Sequence, residues 1–334
     1  MSVPKGHILD KTSIDMSKHH LLTELVPEKR CLYITLNRPD KLNALTTEDF
    51  YKMQEILDQA EIEDDIKSIV VRGAGDCFST GADAALLGHL HGIREPEPGG
   101  KAPKTPQRDR IVADRFIFRK MFQAFARCLK VTIVQCHSYS MGMCLWFPML
   151  GDIAIASDDA VFGHSAYRMV GPSVDGLIGY WILKIGTAKT KEMLITGKYM
   201  EAKEALQCGL INEVVPRDQL EKRVDDFVQA VACQPMDGIV AGKLAFDCHM
   251  DMLGAQNSVD VGILFHTITT AMHYDPNEFN FFKERRDAGA PAITNAFEER
   301  DRRFANIPGM NVIKRPTPIA EKLRAAAKAK AEGK

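Results

Sequence analysis

The feature that most constrains this chain is an alternation of short β-branched runs with longer amphipathic ones. Residues 31–36 (CLYITL), 68–72 (SIVVR), 131–136 (VTIVQC) and 152–157 (DIAIAS) read as buried strands. Between them, 46–62 and about 110–129 read as helices. Thr46 or Thr47 can cap the first helix, and Glu48 opens its acidic first turn. Such an order predicts parallel βαβ units and an α/β fold. Two helical stretches then cover 175–208, 210–215 (LINEVV) reads as a last short strand, and 218 to about 304 reads as helix throughout.

Composition narrows the class. With 334 residues, 45% of them apolar, the chain can bury a large core. Lys plus Arg is 43 against 44 Asp plus Glu, a net charge of −1, so no positive field favours nucleic acid or a membrane surface. The apolar stretch Met141–Leu150 is too short to span a bilayer. The N-terminus carries Lys and Asp throughout and no secretory apolar region. Eight cysteines without a CxxC pair read as buried free thiols in a reducing cytoplasm. Residues 1–20 read as an N-terminal extension, 90–109 as a mobile Pro/Gly-rich loop, and 305–334 as a flexible tail.

Several motifs fall short of the chemistry they suggest. Gly73-Ala74-Gly75 follows a strand, but Phe78 stands where a dinucleotide fingerprint needs its third glycine. Ser138-Tyr139-Ser140-Met141-Gly142 resembles a nucleophile elbow with Ser138 in the first glycine position, which makes Ser140 a rival serine nucleophile. His266 and His273 are a heptad apart, a spacing suited to packing, and no histidine pattern has metal-ligand spacing.

Four stretches are decisive: Leu36–Leu45 (LNRPDKLNAL), Cys77–Asp83 (CFSTGAD), Val131–Ile153, and Leu194–Val215. In order and spacing they resemble the enoyl-CoA hydratase/isomerase (crotonase) superfamily over residues 21–304. The resemblance implies a crotonase-like spiral of ββα units over 21–215 and a C-terminal helical trimerisation region over 216–304. It implies a homo-trimer or homo-hexamer binding acyl-CoA, with no cofactor beyond the coenzyme A of the substrate, and no metal, nucleic acid or membrane partner. It also implies an oxyanion hole of two backbone N–H groups that stabilises a thioester enolate. By position these belong to Ala82 and to Met143, which follows the turn residue Gly142.

The chain departs from that family at the residues that move protons. Its two catalytic glutamates fall on Trp146 and Ala166, so ordinary hydration and one-glutamate isomerisation both lose their base. Asp175 lies near an active-site Asp of some members, and reads equally as a helix N-cap. His164 is a second candidate base, on the same side of an extended segment as Ala166. Trp146, Ala166 and Tyr167, with Met143 and Phe147, suggest an apolar pocket for a bulky or cyclic acyl group. Lys41 and Arg285, with Lys283 and Arg286, match segments that reach coenzyme A, against a solvated-face alternative. The resulting expectation is hydratase/isomerase-like lyase chemistry on an unusual enoyl-CoA with non-standard acid/base residues. The alternatives are a C–C bond hydrolase of a β-dicarbonyl compound, for which Asp152 would need a histidine at the Met143 position, and a non-catalytic binding scaffold.

Overall fold

The computed structural model describes residues 14–83, 107–172, 175–268, 272–281, 283 and 293–310. Nine strands form two sheets among these residues. The larger sheet contains β1 (Leu21–Val26), β2 (Cys31–Leu36), β3 (Ser68–Gly73), β4 (Val131–Cys136), β6 (Ile153–Ser157) and β9 (Glu213–Val215), in that order. All its neighbours run parallel except β1, which pairs antiparallel with β2. The smaller sheet joins β5 (Tyr139–Met141), β7 (Val161–Gly163) and β8 (Met200–Glu201).

The parallel strands alternate with α1 (Thr47–Ile62) and a long helical segment. That segment comprises α2 (Gln107–Ala113), a π-helical stretch (Asp114–Arg119) and α3 (Lys120–Ala126). The short α4 (Trp146–Leu150), α5 (Tyr167–Val170), the kinked α6 (Ile178–Thr196) and α7 (Ala202–Gln207) follow. Helices α8 (Leu220–Ala232), α9 (Met236–Met252), α10 (Ala255–Ile268) and α11 (Ile293–Arg302) complete the order. The α/β class and the strands at 31–36 and 131–136 are as the sequence predicts. Thr46 caps α1 in a reciprocal box with Asp49, because both side chains reach the other's backbone N–H.

Several expectations need correction. The described end of the expected extension is tied to the fold at two points, Ile14 in the core and the His20 N–H donating to Asp49, while Asp15, Ser17 and Lys18 between them are exposed. Residues 107–109 of the expected loop are helical, and 90–106 lie outside the described residues. Residues 272–280 interrupt the expected helical run. In the expected tail, the Met310 carbonyl accepts from Arg168 at 2.7 Å, whereas 311–334 lie outside the described residues. Cys233 and Cys248 are exposed, and Cys208 is half-buried, because their helices face solvent there. No helix among the described residues is long and apolar enough to cross a membrane.

The loops that frame the site are pinned by one side chain. Asn43, buried and at φ 54°, donates to the carbonyls of Ala74 and Cys77 at 2.8 Å and accepts from the Arg38 N–H at 2.9 Å. Asn tolerates this left-handed backbone better than most residues do. Replacing Asn43 with Ala takes the side-chain donor from the buried Cys77 carbonyl and the half-buried Ala74 carbonyl, and the acceptor from the Arg38 N–H. A loss of about 2–4 kcal/mol in urea-unfolding free energy is expected; an unchanged midpoint would show that the loops hold without it.

Candidate active site

The site begins where β4 and β5 deliver the chain into a tight turn. Met141 N–H donates to Ser79 O, and Ser79 N–H to Tyr139 O, each at 2.9 Å, so residues 78–81 lie along β5. Gly81 has φ 99° and Gly142 φ 59°, both left-handed. A Cβ on Gly81 would stand 2.9 Å from Met143 N, and one on Gly142 would stand 2.9 Å from the Thr80 carbonyl. The two backbones therefore touch directly, which only glycine permits. The parallel bridge from Leu45 to Ala82 uses the Gly81 carbonyl and the Asp83 N–H. That pattern turns the Ala82 N–H away from the bridge. Met143 lies in the first turn of a 3-10 helix (Gly142–Leu145), where N–H groups lack intrahelical partners.

Beside this junction stands an aromatic wall. Trp146 opens α4, and its ring meets Phe122 of α3 at 4.7 Å. The His164 ring stacks on Tyr167 at 4.8 Å and faces Trp146 at 6.2 Å. Ala166 caps the short helix that begins at Tyr167. Phe147 points the other way, into the core against Phe78, Phe122 and Phe125, and does not join the wall. Ser140 is wholly buried in β5, which denies a substrate access to it as a nucleophile.

Asp175 is 0% exposed. One carboxylate oxygen accepts from the Leu177 N–H at 2.6 Å, just before α6. The other accepts from Tyr167 Oη, from Trp181 Nε1 at 2.9 Å and from Trp146 Nε1 at 3.4 Å. These are the only two tryptophans in the chain. Burial raises the Asp175 pKa, while the four donors pull it down. Three donors crowd one oxygen and a single donor holds the other, and the carboxylate is wholly buried, so a substrate atom reaches it only if this protein shell opens. The helix N-cap weighed from sequence is not formed: Leu177 holds that place without a side-chain cap, and Asp175 accepts instead from the Leu177 N–H two residues on and from three aromatic donors. Trp181 was not singled out in the sequence; its signal is a buried indole N–H six residues after an Asp.

His164 is buried, and its Nδ1 accepts from the Ala166 N–H at 3.2 Å. The neutral ring therefore carries its proton on Nε2, an assignment that follows from this bond. Burial, with a smaller contribution from His266, pushes its pKa down to about 3. Asp152 accepts from Thr132 and pairs with Lys243 at 2.5 Å, so it is tied into the fold away from Met143. Lys41 is exposed on its turn and Lys283 is exposed, whereas Arg285 and Arg286 lie outside the described residues.

The depressed His164 pKa has a consequence for stability. The unfolded chain takes up this proton near pH 6.5 and the folded chain only near 3. Stability supplied by the neutral ring is complete above 6.5 and lost as pH falls towards 3. Between pH 7 and 5 the wild type should lose about 2 kcal/mol more than a His164→Phe variant in paired urea titrations. Parallel losses in both proteins would show that His164 is not the group responsible.

Comparisons with known proteins agree with this layout. Residues 28–289 match the enoyl-CoA hydratase/isomerase family model. The chain is 28% identical over 271 residues to (E)-benzylidenesuccinyl-CoA hydratase of Thauera aromatica, covering 79% of this chain and 95% of that protein. It is 28% identical over 226 residues to 1,2-epoxyphenylacetyl-CoA isomerase of Escherichia coli, covering 66% and 79%. The fold resembles the crystal structure of an enoyl-CoA hydratase/isomerase from Xanthobacter autotrophicus Py2, with a TM-score of 0.70 at 23% identity over 85% of this chain and 98% of that one. With a family match running through both the glycine junction and the aromatic wall, the chain belongs to the enoyl-CoA hydratase/isomerase family.

Proposed function

We propose that this protein stabilises a thioester enolate between the N–H groups of Ala82 and Met143 and rearranges a bulky or cyclic enoyl-CoA by lyase or isomerase chemistry. The observation that carries this reading is the direct seating of Gly81 on the Met143 peptide. It draws two backbone segments together with no side chain between them. Fixed N–H groups of this kind stabilise charge that develops during reaction at no reorganisation cost. The aromatic wall of Trp146, Tyr167 and His164 beside Ala166 supports a large apolar acyl group. The two relatives above are named for esters of aromatic acyl groups, which suits the same class.

With apolar residues at both glutamate positions and Asp175 closed by four donors, His164 is the remaining proton-bearing candidate. It presents a neutral Nε2–H, a form that polarises a substrate without a formal charge. Asp175 serves as a positioning residue, holding Tyr167 under the His164 ring. Lys41 and Lys283, both exposed, are available to meet the coenzyme A phosphates. The apolar side chains exposed on α9 and α10, including Leu244, Phe246, Leu264 and Phe265, support a trimer or hexamer. The closed Asp175 carboxylate favours one rival, a scaffold that binds the ester without turning it over. Asp152 lies in a Lys243 ion pair, which leaves the β-dicarbonyl hydrolase reading without its carboxylate.

A mass-spectrometric panel of linear, aromatic and alicyclic enoyl-CoAs decides between the first two. Turnover of at least one ester is expected, with kcat reduced about 100-fold or more in His164→Phe and ester affinity kept. Binding without product across the panel would overturn catalysis and leave the scaffold.

A further inference from the structure

One charged group in the structure lacks what a buried charge requires. Arg110 of α2 is only 6% exposed, yet it makes no ion pair and no hydrogen bond among the described residues. Its Nε is buried without an acceptor. A guanidinium carries five donors and does not shed its charge at physiological pH. Burying it without a hydrogen-bonded partner is costly, and an anion brought against it would relieve that cost. Burial pulls the Arg110 pKa down to about 10, and only the charge of Asp114 opposes this.

The position of Arg110 points to the acyl group. Arg110, Asp114, Phe118 and Phe122 recur every four residues along one helical segment, and all four are buried. Phe122 packs on Trp146, so the stripe leads from the wall to the guanidinium. A second link runs through His266 of α10, whose Nδ1 lies 2.7 Å from Asp114 Oδ2 and which acts electrostatically on His164. The nearby acids do not cancel Arg110. Asp114 commits Oδ2 to His266, and its buried Oδ1, which has no hydrogen-bond partner, acts on Arg110 through charge alone without forming an ion pair; Asp109 pairs with Arg108 at 3.8 Å. The π-helical stretch starts at Asp114 and widens the segment at this point. Such bulges recur at functional sites.

We infer that Arg110 is a specificity residue that receives a carboxylate at the far end of the acyl group, so that the preferred substrate is the mono-CoA ester of a dicarboxylic acid. This rests on the acyl-CoA reading proposed above and specifies its substrate class. The carboxylate would accept the unused Arg110 donors, a charge-assisted contact that a methyl terminus cannot make. Asp114 and His266 would flank it, with the imidazole shielding the Asp114 charge.

The test compares two esters of equal length: a six-carbon trans-2-enoyl-CoA and the matching trans-2-enedioyl mono-CoA. Each is assayed for turnover and for thermal stabilisation with wild type and with Arg110→Met. The wild type should favour the dicarboxylate ester by tenfold to about a hundredfold in kcat/KM. Arg110→Met should erase that preference by lowering kcat/KM for the dicarboxylate ester far more than for the methyl-ended one, and raise the melting temperature without ligand, because an unpaired buried cation is gone. Equal use of both esters by wild type would overturn the inference and leave the acyl-CoA reading standing. Arg110→Met melting lower than wild type, with its preference intact, would also overturn it, because the guanidinium would then have a structural partner. Failure of both esters to bind wild type would overturn this inference, and the acyl-CoA reading falls with it only if the aromatic and alicyclic enoyl-CoAs also fail to bind.

Discussion

The most consequential single contact in this structure is a carboxylate that has given up its water. Asp175 replaces solvent with four donors drawn from three separate elements: α4, α5 and α6 with its lead-in. Each partner is oriented by the same two oxygens. Trp146 is fixed where the aromatic wall begins, Tyr167 is fixed beneath His164, and Trp181 is fixed where α6 leaves the site. Removing one donor leaves a charge in a low-dielectric interior with a gap in its shell, which is far worse than losing a surface bond. The arrangement is thus cooperative: the wall is held from behind by an anion that the substrate does not touch.

A second polar layer runs along the helical segment whose Phe122 packs on Trp146 of that wall. Here the balance is left open. The Asp114–His266 pair is formed, whereas the guanidinium four residues earlier is held without an acceptor. Satisfied polar groups behind a pocket and an unsatisfied one along its side fit a rigid back and a receptive edge. Arg168 shows how this protein treats a guanidinium that is purely structural. It lies between the rings of Tyr199 and Phe304 and donates to the carbonyls of Gly197 and Met310. One Arg168 nitrogen also lacks a hydrogen bond, yet it lies 3.8 Å from Asp301, whereas Arg110 has no ion pair and no hydrogen bond among the described residues.

Much of this was legible in the sequence where local chemistry decides the outcome. The central parallel strands announce themselves as β-branched runs, and Thr46 announces α1 through its cap. The short pieces were not legible. β1 buries one of six residues fully, so it lacks an apolar period, and β5, β7 and β8 have only two or three residues each. At the site, the glycine junction follows from the motifs at 77–83 and 142, because left-handed turns demand glycine at those places. Asp175 could be read as a cap but not as an acceptor of two indoles, since Trp146 and Trp181 are 29 residues before and six after it. Arg110 fell at the margin of a loop, and its burial arises only when helices from distant parts of the chain close over it.

The junction between Gly81 and Gly142 has one further effect. Peptide groups form its contact surface, so the identity of the residue at 143 is chemically decoupled from the N–H it contributes. Met143 can carry a long thioether there because three rotatable bonds let the side chain fold against the half-buried margin of the core. Shape in this corner and polarity in the backbone are thereby separate variables. A lineage could retailor the volume of the chamber residue by residue while its electrostatic centre stayed put.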